Sequence, residues 1–147
     1  MAHQKTLPRG VRNNNPLNIR ESKGDTTQWK GEALLDSDKA FEEFKNPAFG
    51  FRAAYKLLMT YKHKYSAYTL ETIINRWAPA NGEHNGQTYV NHTQSYIDYV
   101  GQRLGITSRD PIPDHLYPEL MLAMADFEGA KGAFNLNQAR EGVALAA

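Results

Sequence analysis

Apolar side chains recur every three or four residues along the chain after Gly50, which is the period of an amphipathic helix. The first such stretch runs to about Tyr65 and leaves its lysines for solvent; the shared apolar face is Phe51, Ala54, Tyr55, Leu58, Met59 and Tyr65. Thr69 can cap a second helix, which we expect to end before Pro79 because a residue preceding proline disfavours helical backbone. The inward side chains of this second helix are Leu70, Ile73, Ile74 and Trp77.

The same period predicts two further helices downstream. The stretch QSYIDYVGQRL places Tyr96, Ile97, Val100 and Leu104 on one side, and Gly105 supplies a C-terminal stop. The last predicted helix begins at a cap on Asp114, tolerates Pro118 near its first turn and ends at Gly129. Its core-facing side chains are Leu116, Leu120, Met124 and Phe127.

Residues 1–48 lack this period and consist of short segments separated by Gly, Asn, Asp and Ser. The candidate strands are LNIR, QWKGEAL and AFEEF, so we expect either a small hairpin or an irregular lobe here. Residues 49–147 would form the helical part of the same single domain, residues 1–147. The predicted fold class is therefore α+β and mostly helical, a helical bundle with a small β-hairpin lobe.

Composition and charge narrow the class of protein. A length of 147 residues with 41% hydrophobic residues suits one domain with a substantial core. The net charge of +1 gives no basic excess for a nucleic-acid partner, and the absence of cysteine excludes disulfides and thiolate metal sites. No stretch approaches the roughly 20 apolar residues of a membrane span, and the first residues lack the apolar run of a signal peptide. We expect synthesis in the cytoplasm and no membrane insertion.

Several segments together resemble a known family. The stretches RNNNPLNIR, QWKGE, FEEF, NPAFGFRAAYKLLMTY and IINRWAPA are similar to phage-associated lysozyme-like proteins, and the likeness covers nearly the whole chain. The first of them also resembles the hairpin that lines the sugar cleft of flagellar peptidoglycan hydrolases. RWAPANGEHNGQTYVNHTQSYIDYV looks like a lytic transglycosylase segment in which a polar loop precedes a Tyr-rich helix. The resemblance implies a lysozyme-like fold and cleavage of the β-1,4 bond between N-acetylmuramic acid and N-acetylglucosamine in bacterial peptidoglycan.

The chain departs from the superfamily in the position of its acid. Glycoside cleavage requires a carboxylic acid held protonated near the scissile oxygen, and the superfamily places this Glu on a helix directly before the hairpin. No acidic residue precedes NNNPLNIR here. Glu128, in the last turn of the fourth predicted helix beside Phe127 and Met124, is the candidate, because burial and the helix C-terminus should both raise its pKa. A circular permutation of the lysozyme order would bring Glu128 to the Asn-rich segment in space.

Other acidic residues are weaker candidates. Glu21, Glu42 and Glu43 lie in or beside predicted strands, where solvated charges are common. Asp36 and Asp38 lack a third oxygen ligand at calcium-loop spacing, so turn chemistry is the better interpretation. We expect neither a metal nor another cofactor.

Asn15, Asn18, Trp29 and Tyr96 are the candidate substrate-binding residues. Asparagine side chains can hydrogen-bond the amides and hydroxyls of N-acetylated sugars, although asparagine before proline also builds turns. Trp29 could stack on a sugar ring or fill the space between the lobes. Tyr96 could lie either in the core or on the floor of the cleft. Arg12 and Arg20 could meet the carboxylates of peptidoglycan stem peptides or be solvated.

Three functions remain open from the sequence, with the glycosidase favoured. One alternative is a non-catalytic phage virion or tail component that binds cell wall. The other is a zinc peptidase of the peptidoglycan cross-links using His84 and His92, whose spacing fits no His-Glu-x-x-His helix. Because no second carboxylate is placed by the sequence, a lytic transglycosylase, in which a single Glu acts first as acid and then as base, is favoured over a hydrolase. Action at the wall would require delivery from the cytoplasm by a holin, a virion or a secretion system.

Overall fold

The computed structural model describes residues 7–21, 28–35, 37–84 and 86–147, with the backbone alone at His84 and Gln87. The helices are α1 (Arg9–Arg12), α2 (Pro47–Tyr65), α3 (Leu70–Trp77), α4 (Thr93–Leu104), α5 (Tyr117–Ala125) and α6 (Leu136–Leu145). A 3₁₀ turn (Asp114–Leu116) precedes α5, and a π turn (Asp126–Ala130) follows it. Strands β1 (Asn81–His84) and β2 (Gln87–Val90) pair as an antiparallel hairpin between α3 and α4. The fold is therefore mostly helical with a small β element, as the sequence predicts.

The first three predicted helices are confirmed, as are the predicted Thr69 cap and Gly105 stop, whereas α2 begins three residues before Gly50 at a cap that was not predicted. Asn46 caps α2, its side chain accepting from the Phe49 N–H, with proline at the first helical position. Thr69 caps α3 in a reciprocal capping box with Thr72. Gly105 ends α4 in the left-handed conformation, with φ of 69°.

The fourth predicted helix differs in detail from the expectation. Asp114 makes no side-chain cap and begins the 3₁₀ turn, so α5 starts only at Tyr117. Gly129 does not terminate an α-helix but lies inside the π turn, where its φ of 111° lets the chain turn away. Helix α6 was not predicted from the apolar period, although Asn135 and Gln138 carry the spacing of a capping box and form one.

Of the two alternatives for residues 1–48, a small hairpin or an irregular lobe, the described residues show the irregular lobe. Within the described residues before α2, strand-type pairing is limited to the isolated bridges Arg20↔Phe41 and Glu32↔Phe44, and the one regular element is the short helix α1. The hairpin instead spans Asn81–Val90, where the sequence contains Asn85-Gly86, a dipeptide that favours tight hairpin turns. The lobe before α2 is accordingly irregular.

One hydrophobic cluster joins the irregular lobe to the helices. Its largest fully buried side chains are Leu17, Phe51, Leu58, Leu70, Ile73, Ile74, Val100, Tyr117, Leu120, Met121 and Met124. Helices α2 and α6 approach closely at Gly142, where an added Cβ would lie 2.5 Å from the Cβ of Phe51. Leu17 belongs to the same cluster, so the Asn-rich segment is fixed against the helical part.

No helix in the described part of the chain is long and apolar enough to cross a bilayer.

The α3 cap offers a test of local stability. Thr69→Ala removes the side-chain acceptor of the Thr72 N–H and is expected to lower the free energy of unfolding by about 1 kcal/mol. Thr60→Ala is the matched control, because the Thr60 hydroxyl bonds only back to the Lys56 carbonyl within α2. Urea denaturation of both variants measures the difference; equal midpoints would contradict a contribution from the cap.

Candidate functional site

A cleft of about 450 Å³ opens between the irregular lobe, the end of α3, the hairpin and the π turn. Its aromatic lining is Trp29, Phe41, Tyr61, Trp77 and Tyr89. Its charged lining is Arg20, Glu42, Arg76 and Glu128, and Asn18 and Asn91 add neutral polar side chains. Aromatic faces with a few convergent polar groups are typical of sites that bind small polar ligands such as sugars.

Glu128 reaches this cleft from the π turn that extends α5. The extra residue of a π turn changes the direction in which the following side chains leave the helix, and such turns are frequent at functional sites. The Tyr96 hydroxyl donates a 2.9 Å hydrogen bond to Glu128 Oε2. The Tyr96 ring stacks on Phe127 with centroids 4.2 Å apart, so the residue preceding Glu128 is held as well.

Burial raises the pKa of the Glu128 carboxyl above its ordinary value. Opposing effects are smaller: hydrogen bonds from Tyr96 and Asn18, the positive charge of Arg20 and the indole of Trp77 all lower this pKa. Desolvation prevails because the carboxylate loses more hydration than these donors restore. The result is a carboxyl that keeps its proton to higher pH than an exposed Glu, which is the property of a general acid.

A second network holds the π turn from outside the cleft. Arg103 pairs with Asp126 at 2.6 Å and also donates to the Tyr99 hydroxyl at 2.8 Å. The other Asp126 oxygen accepts from the Gly132 N–H at 3.3 Å, beyond the end of the turn. The Tyr99 ring in turn lies against Phe127. Asp126 therefore closes the turn on both sides and fixes the direction from which Glu128 enters the cleft.

The Asn-rich segment meets Glu128 in space, as the permutation hypothesis expects. Asn18 lines the cleft and donates from Nδ2 to the Glu128 carbonyl at 3.1 Å, across 110 residues of sequence. Its φ of 52° is left-handed, a conformation that asparagine tolerates better than most residues. Asn18 Oδ1 is buried and accepts no hydrogen bond from the described residues. The segment thus contributes a wall of the cleft through Asn18.

Asn15 has a structural position that the sequence did not indicate. Its side chain is fully buried, with Nδ2 donating to the carbonyls of Ile19 and Glu42 and Oδ1 accepting from the Ile19 N–H. The side-chain amide therefore bridges two chain segments as a backbone peptide would, and no polar atom remains for a ligand. Asn15 lies outside the cleft lining, so the structure does not support the prediction that it binds substrate.

The neighbouring asparagines also make internal contacts. Asn13 donates to Asp38 at 3.0 Å, and Asn14 donates to the Phe44 carbonyl at 3.0 Å. The run NNN therefore ties this segment to the chain before α2. Turn and bridge chemistry, the alternative interpretation of the run, is what the structure shows for Asn13, Asn14 and Asn15.

The other predicted binding residues differ in how far they are buried relative to the cleft surface. Trp29 is half-buried and lines the cleft, where an aromatic face can meet a sugar. Tyr96 is 2% exposed and lies behind Glu128 rather than in the lining, so its contact is with the carboxylate. Trp77, whose role the sequence left open, is partly buried and lines the cleft. Arg12 is exposed on α1 and outside the lining, whereas Arg20 belongs to it.

Among the rival acids only Glu42 lies in the cleft lining. Asp38 is fixed in a turn, accepting from the N–H groups of Ala40 and Phe41, and pairs with Arg9 at 3.0 Å. These bonds and the Arg9 charge lower the pKa of Asp38 although burial opposes them. The turn interpretation of Asp38 is thus confirmed, while its proposed partner Asp36 lies outside the described residues.

Metal-ligating chemistry finds no support among the side chains that the structure describes. They include no group of three or more His, Asp and Glu residues close enough to hold an ion. His92 is exposed just before α4, and the side chain of His84 lies outside the described set.

Several cleft residues were missed by the sequence analysis. They come from three places in the fold: Tyr61 from α2, Arg76 from the end of α3, and Tyr89 and Asn91 from β2 and the residue after it. Each lies in an element with its own local pattern, and no local signal distinguishes a cleft residue from a surface residue. Only the Asn85-Gly86 turn signal could have shown that a hairpin carries Tyr89 toward the cleft.

Tyr96→Phe tests how Glu128 is held. The tyrosine hydroxyl lowers the pKa of Glu128, so its loss is expected to raise this pKa. In any reaction for which Glu128 is the general acid, that change moves the alkaline limb of the pH–rate profile to higher pH. Loss of a buried hydrogen bond should also cost about 1 kcal/mol of stability. Tyr99→Phe is the control, since its hydroxyl contacts Arg103 and not Glu128. An alkaline limb that stays in place in Tyr96→Phe would contradict the coupling.

Comparison with known proteins gives the chain a relative from a bacteriophage. No protein-family model matches the sequence. Protein P5 of Pseudoalteromonas phage PM2 is 40% identical over 134 residues, which cover 91% of this chain and 79% of the phage protein. Identity at this level over this share of both chains shows common descent and a common fold. The chain belongs to the family of Protein P5 of phage PM2.

Proposed function

We propose that this protein is a peptidoglycan-cleaving glycosidase that acts on the β-1,4 bond between N-acetylmuramic acid and N-acetylglucosamine. The observation that carries the proposal is Glu128, a carboxyl of raised pKa that borders a cleft with an aromatic lining. Its position beside Tyr96 and Asn18 is fixed by hydrogen bonds from two different parts of the chain. A preorganised acid in a partly desolvated cleft is what cleavage of a glycosidic bond requires.

The proposal includes a circularly permuted lysozyme-like fold. In the usual order, the helix with the catalytic acid directly precedes the segment that lines the sugar cleft. Here the acid follows α5 near the end of the chain, and the segment containing Asn18 lies near its start. The hydrogen bond between Asn18 and Glu128 joins the two in space, and this contact supports the permuted arrangement.

The favoured reaction is that of a lytic transglycosylase. Glu128 donates its proton to the glycosidic oxygen, and the C1–O bond breaks with release of the N-acetylglucosamine hydroxyl. The resulting Glu128 carboxylate then takes the proton of the 6-hydroxyl of the muramic unit, whose oxygen bonds to C1 to give an anhydro end. Glu128 is protonated again, so one carboxyl suffices and no water enters. Trp29 and Trp77 would position the sugar rings by stacking.

A hydrolase is the alternative that one observation favours. Glu42 lies in the same cleft lining as Glu128 and could activate water or stabilise the developing positive charge at C1. The two reactions predict different effects of Glu42→Gln on the rate of wall cleavage. A hydrolase of this kind would lose most of its cleavage rate, whereas the transglycosylase is expected to retain its rate within a few-fold. Release of soluble muropeptides from purified walls measures either outcome.

A wall-binding virion or tail protein and a zinc peptidase are the other candidate functions. Incubation of purified walls with the protein, with and without a chelator such as EDTA, separates them from the glycosidase. The glycosidase is expected to shorten glycan strands equally in both conditions. Wall binding with no loss of turbidity would overturn the enzymatic proposal in favour of the binding protein, and chelator-sensitive release of peptide ends would overturn it in favour of the peptidase.

The phage relative supports a role in phage biology for the proposed activity. The enzyme would act at the cell wall, in the periplasm, after delivery from the cytoplasm. A holin would deliver it at the end of infection and a virion at the start, while a secretion system would serve a prophage-derived effector.

A further inference from the structure

Arg76 lies flat on aromatic rings at one side of the cleft. Its guanidinium carbon is 3.4 Å from the ring centroid of Tyr65 and 5.3 Å from that of Tyr61. Stacking holds a guanidinium by its face and leaves the N–H donors at its edge free to meet a planar acceptor. The side chain is exposed at the end of α3 and borders the cleft.

Arg20 is arranged in the same way from the irregular lobe. Its guanidinium carbon lies 4.8 Å from the ring centroid of Phe41 and 5.8 Å from that of Tyr89. Arg20 also borders the cleft, and its positive charge lowers the pKa of Glu128. Two arginines, each over two aromatic rings within cation–π distance, therefore border one cleft.

Arg76 differs from three other arginines of the described residues in having no carboxylate partner. Ion pairs among the described residues hold Arg9 to Asp38, Arg103 to Asp126 and Arg140 to Glu119. Arg76 takes part in no ion pair within the described ranges. A guanidinium oriented by aromatic rings, without an internal carboxylate, retains its bidentate capacity for an external one.

The charge of the cleft favours an anionic ligand when the proposed acid is ready to act. With Glu128 protonated, the charged lining consists of the two arginines and the Glu42 carboxylate, an excess of one positive charge. A neutral sugar polymer could accept single hydrogen bonds from either guanidinium but offers no charge for a bidentate, charge-assisted pair. Peptidoglycan carries carboxylates on the lactyl group of each muramic unit and on its stem peptides.

We propose that Arg76 and Arg20 form a carboxylate-binding subsite that selects acid-bearing peptidoglycan over neutral N-acetylglucosamine polymers. This inference rests on the proposed function, since it assigns the substrate class of the same cleft. The recognised chemistry is a carboxylate beside an N-acetylated sugar, supplied by either the lactyl group or the peptide. Both arginines act in binding and orientation and neither transfers a proton.

Binding to Glu128→Gln, in which cleavage is blocked, tests the subsite by calorimetry with three probes. The probes are a chitin tetrasaccharide, a muramic-acid-containing tetrasaccharide without peptides and the same glycan with its stem peptides. Adding Arg76→Gln or Arg20→Gln is expected to weaken binding of a carboxylate-bearing glycan about tenfold, as loss of a charge-assisted hydrogen bond should. Chitin binding should change less than twofold. Arg140→Gln, on α6 outside the cleft lining, is the control.

Which of the three probes lose affinity in the arginine variants decides whether the subsite exists. A loss with both muramic glycans places the carboxylate on the lactyl group, and a loss only with the peptide-bearing glycan places it on the stem peptide; both support the subsite. Equal loss for chitin and peptidoglycan fragments, or no loss at all, would overturn it. Arg76→Lys should recover part of the affinity, and thermal melting confirms folding of each variant. If wild type fails to cleave any wall yet the selective loss is seen, the catalytic proposal fails and the subsite stands.

Discussion

Replacement of Glu128 by glutamine is expected to lower the rate of peptidoglycan cleavage by about 10²- to 10⁴-fold, the contribution of a positioned general acid. Glutamine preserves the volume of the side chain and can accept the hydrogen bond of Tyr96, so the loss reports on the missing proton. The rate of turbidity loss of a wall suspension provides the measurement. Glu141→Gln is the matched control, because that side chain is exposed on α6.

The same substitution has an expected effect on stability whose direction follows from the pKa. The folded pKa of Glu128 is raised, so the folded state binds the proton more tightly than the unfolded state. Stability contributed by the protonated carboxyl is present below the unfolded pKa and is lost as the pH rises through the folded pKa. Glu128→Gln should therefore raise the melting temperature at pH 7 relative to wild type and change it little at pH 4.

A rate that survives Glu128→Gln would remove Glu128 from the role of acid. Glu42 would then be the next candidate, because it is the other carboxylate among the cleft residues that the structure describes. A melting temperature equally raised at both pH values would instead indicate that the substitution acts through packing or denatured-state effects rather than through titration.

The second large effect is expected from Gly50→Ala in α2. An added Cβ would lie 2.2 Å from the backbone oxygen of Asn14 and 2.6 Å from Pro16 Cδ, distances that require the segment or the helix to move. Alanine favours helix by about 1 kcal/mol over glycine, but insertion into packed backbone costs more, typically 1–3 kcal/mol. The net result should be destabilisation and displacement of the segment that carries Asn18.

Displacement of Asn18 would break its hydrogen bond to the Glu128 carbonyl, so cleavage should fall together with stability in Gly50→Ala. Denaturant titration and the turbidity assay measure the two quantities. Lys56→Ala, at an exposed position of the same helix, controls for the substitution to alanine. Unchanged stability and rate in Gly50→Ala would contradict the contact between α2 and the Asn-rich segment.

The helices were predictable because their determinants are local. Thr69, Gly105 and the apolar period are visible in a few consecutive residues, and burial of the resulting faces then stabilises the elements. The same approach missed α6, where Ala and Gly at the buried positions Ala139 and Gly142 give a weak apolar signal. Small residues are used there because α2 approaches closely.

The irregular lobe was not predictable from alternation. LNIR and AFEEF have the pattern of strands, yet they pair at one isolated bridge, where the Glu42 N–H donates to the Ile19 carbonyl and the Glu21 N–H donates to the Ala40 carbonyl. The Asn15 side-chain amide adds bonds to the Ile19 N–H and to the carbonyls of Ile19 and Glu42, so a side chain makes part of the pairing between the two segments. Sequence patterns do not show which asparagine turns inward in this way.

Glu128 was identified as a candidate from its local surroundings and from the family resemblance, and its contact with Asn18 followed from the permutation hypothesis. The hydrogen bond from Tyr96 and the two stacked arginines were not predictable, because they depend on distant elements meeting at one cleft. Local sequence thus indicated the candidate acid, and tertiary packing determined its surroundings.

The most direct test of the proposed function is mass spectrometry of the products from purified peptidoglycan treated with wild type and with Glu128→Gln. The proposal predicts muropeptides with anhydro ends from wild type and none above background from the variant. Reducing ends in place of anhydro ends would retain the glycosidase and replace the transglycosylase with the hydrolase. Intact glycan strands from wild type, with or without cut peptides, would contradict the proposed function.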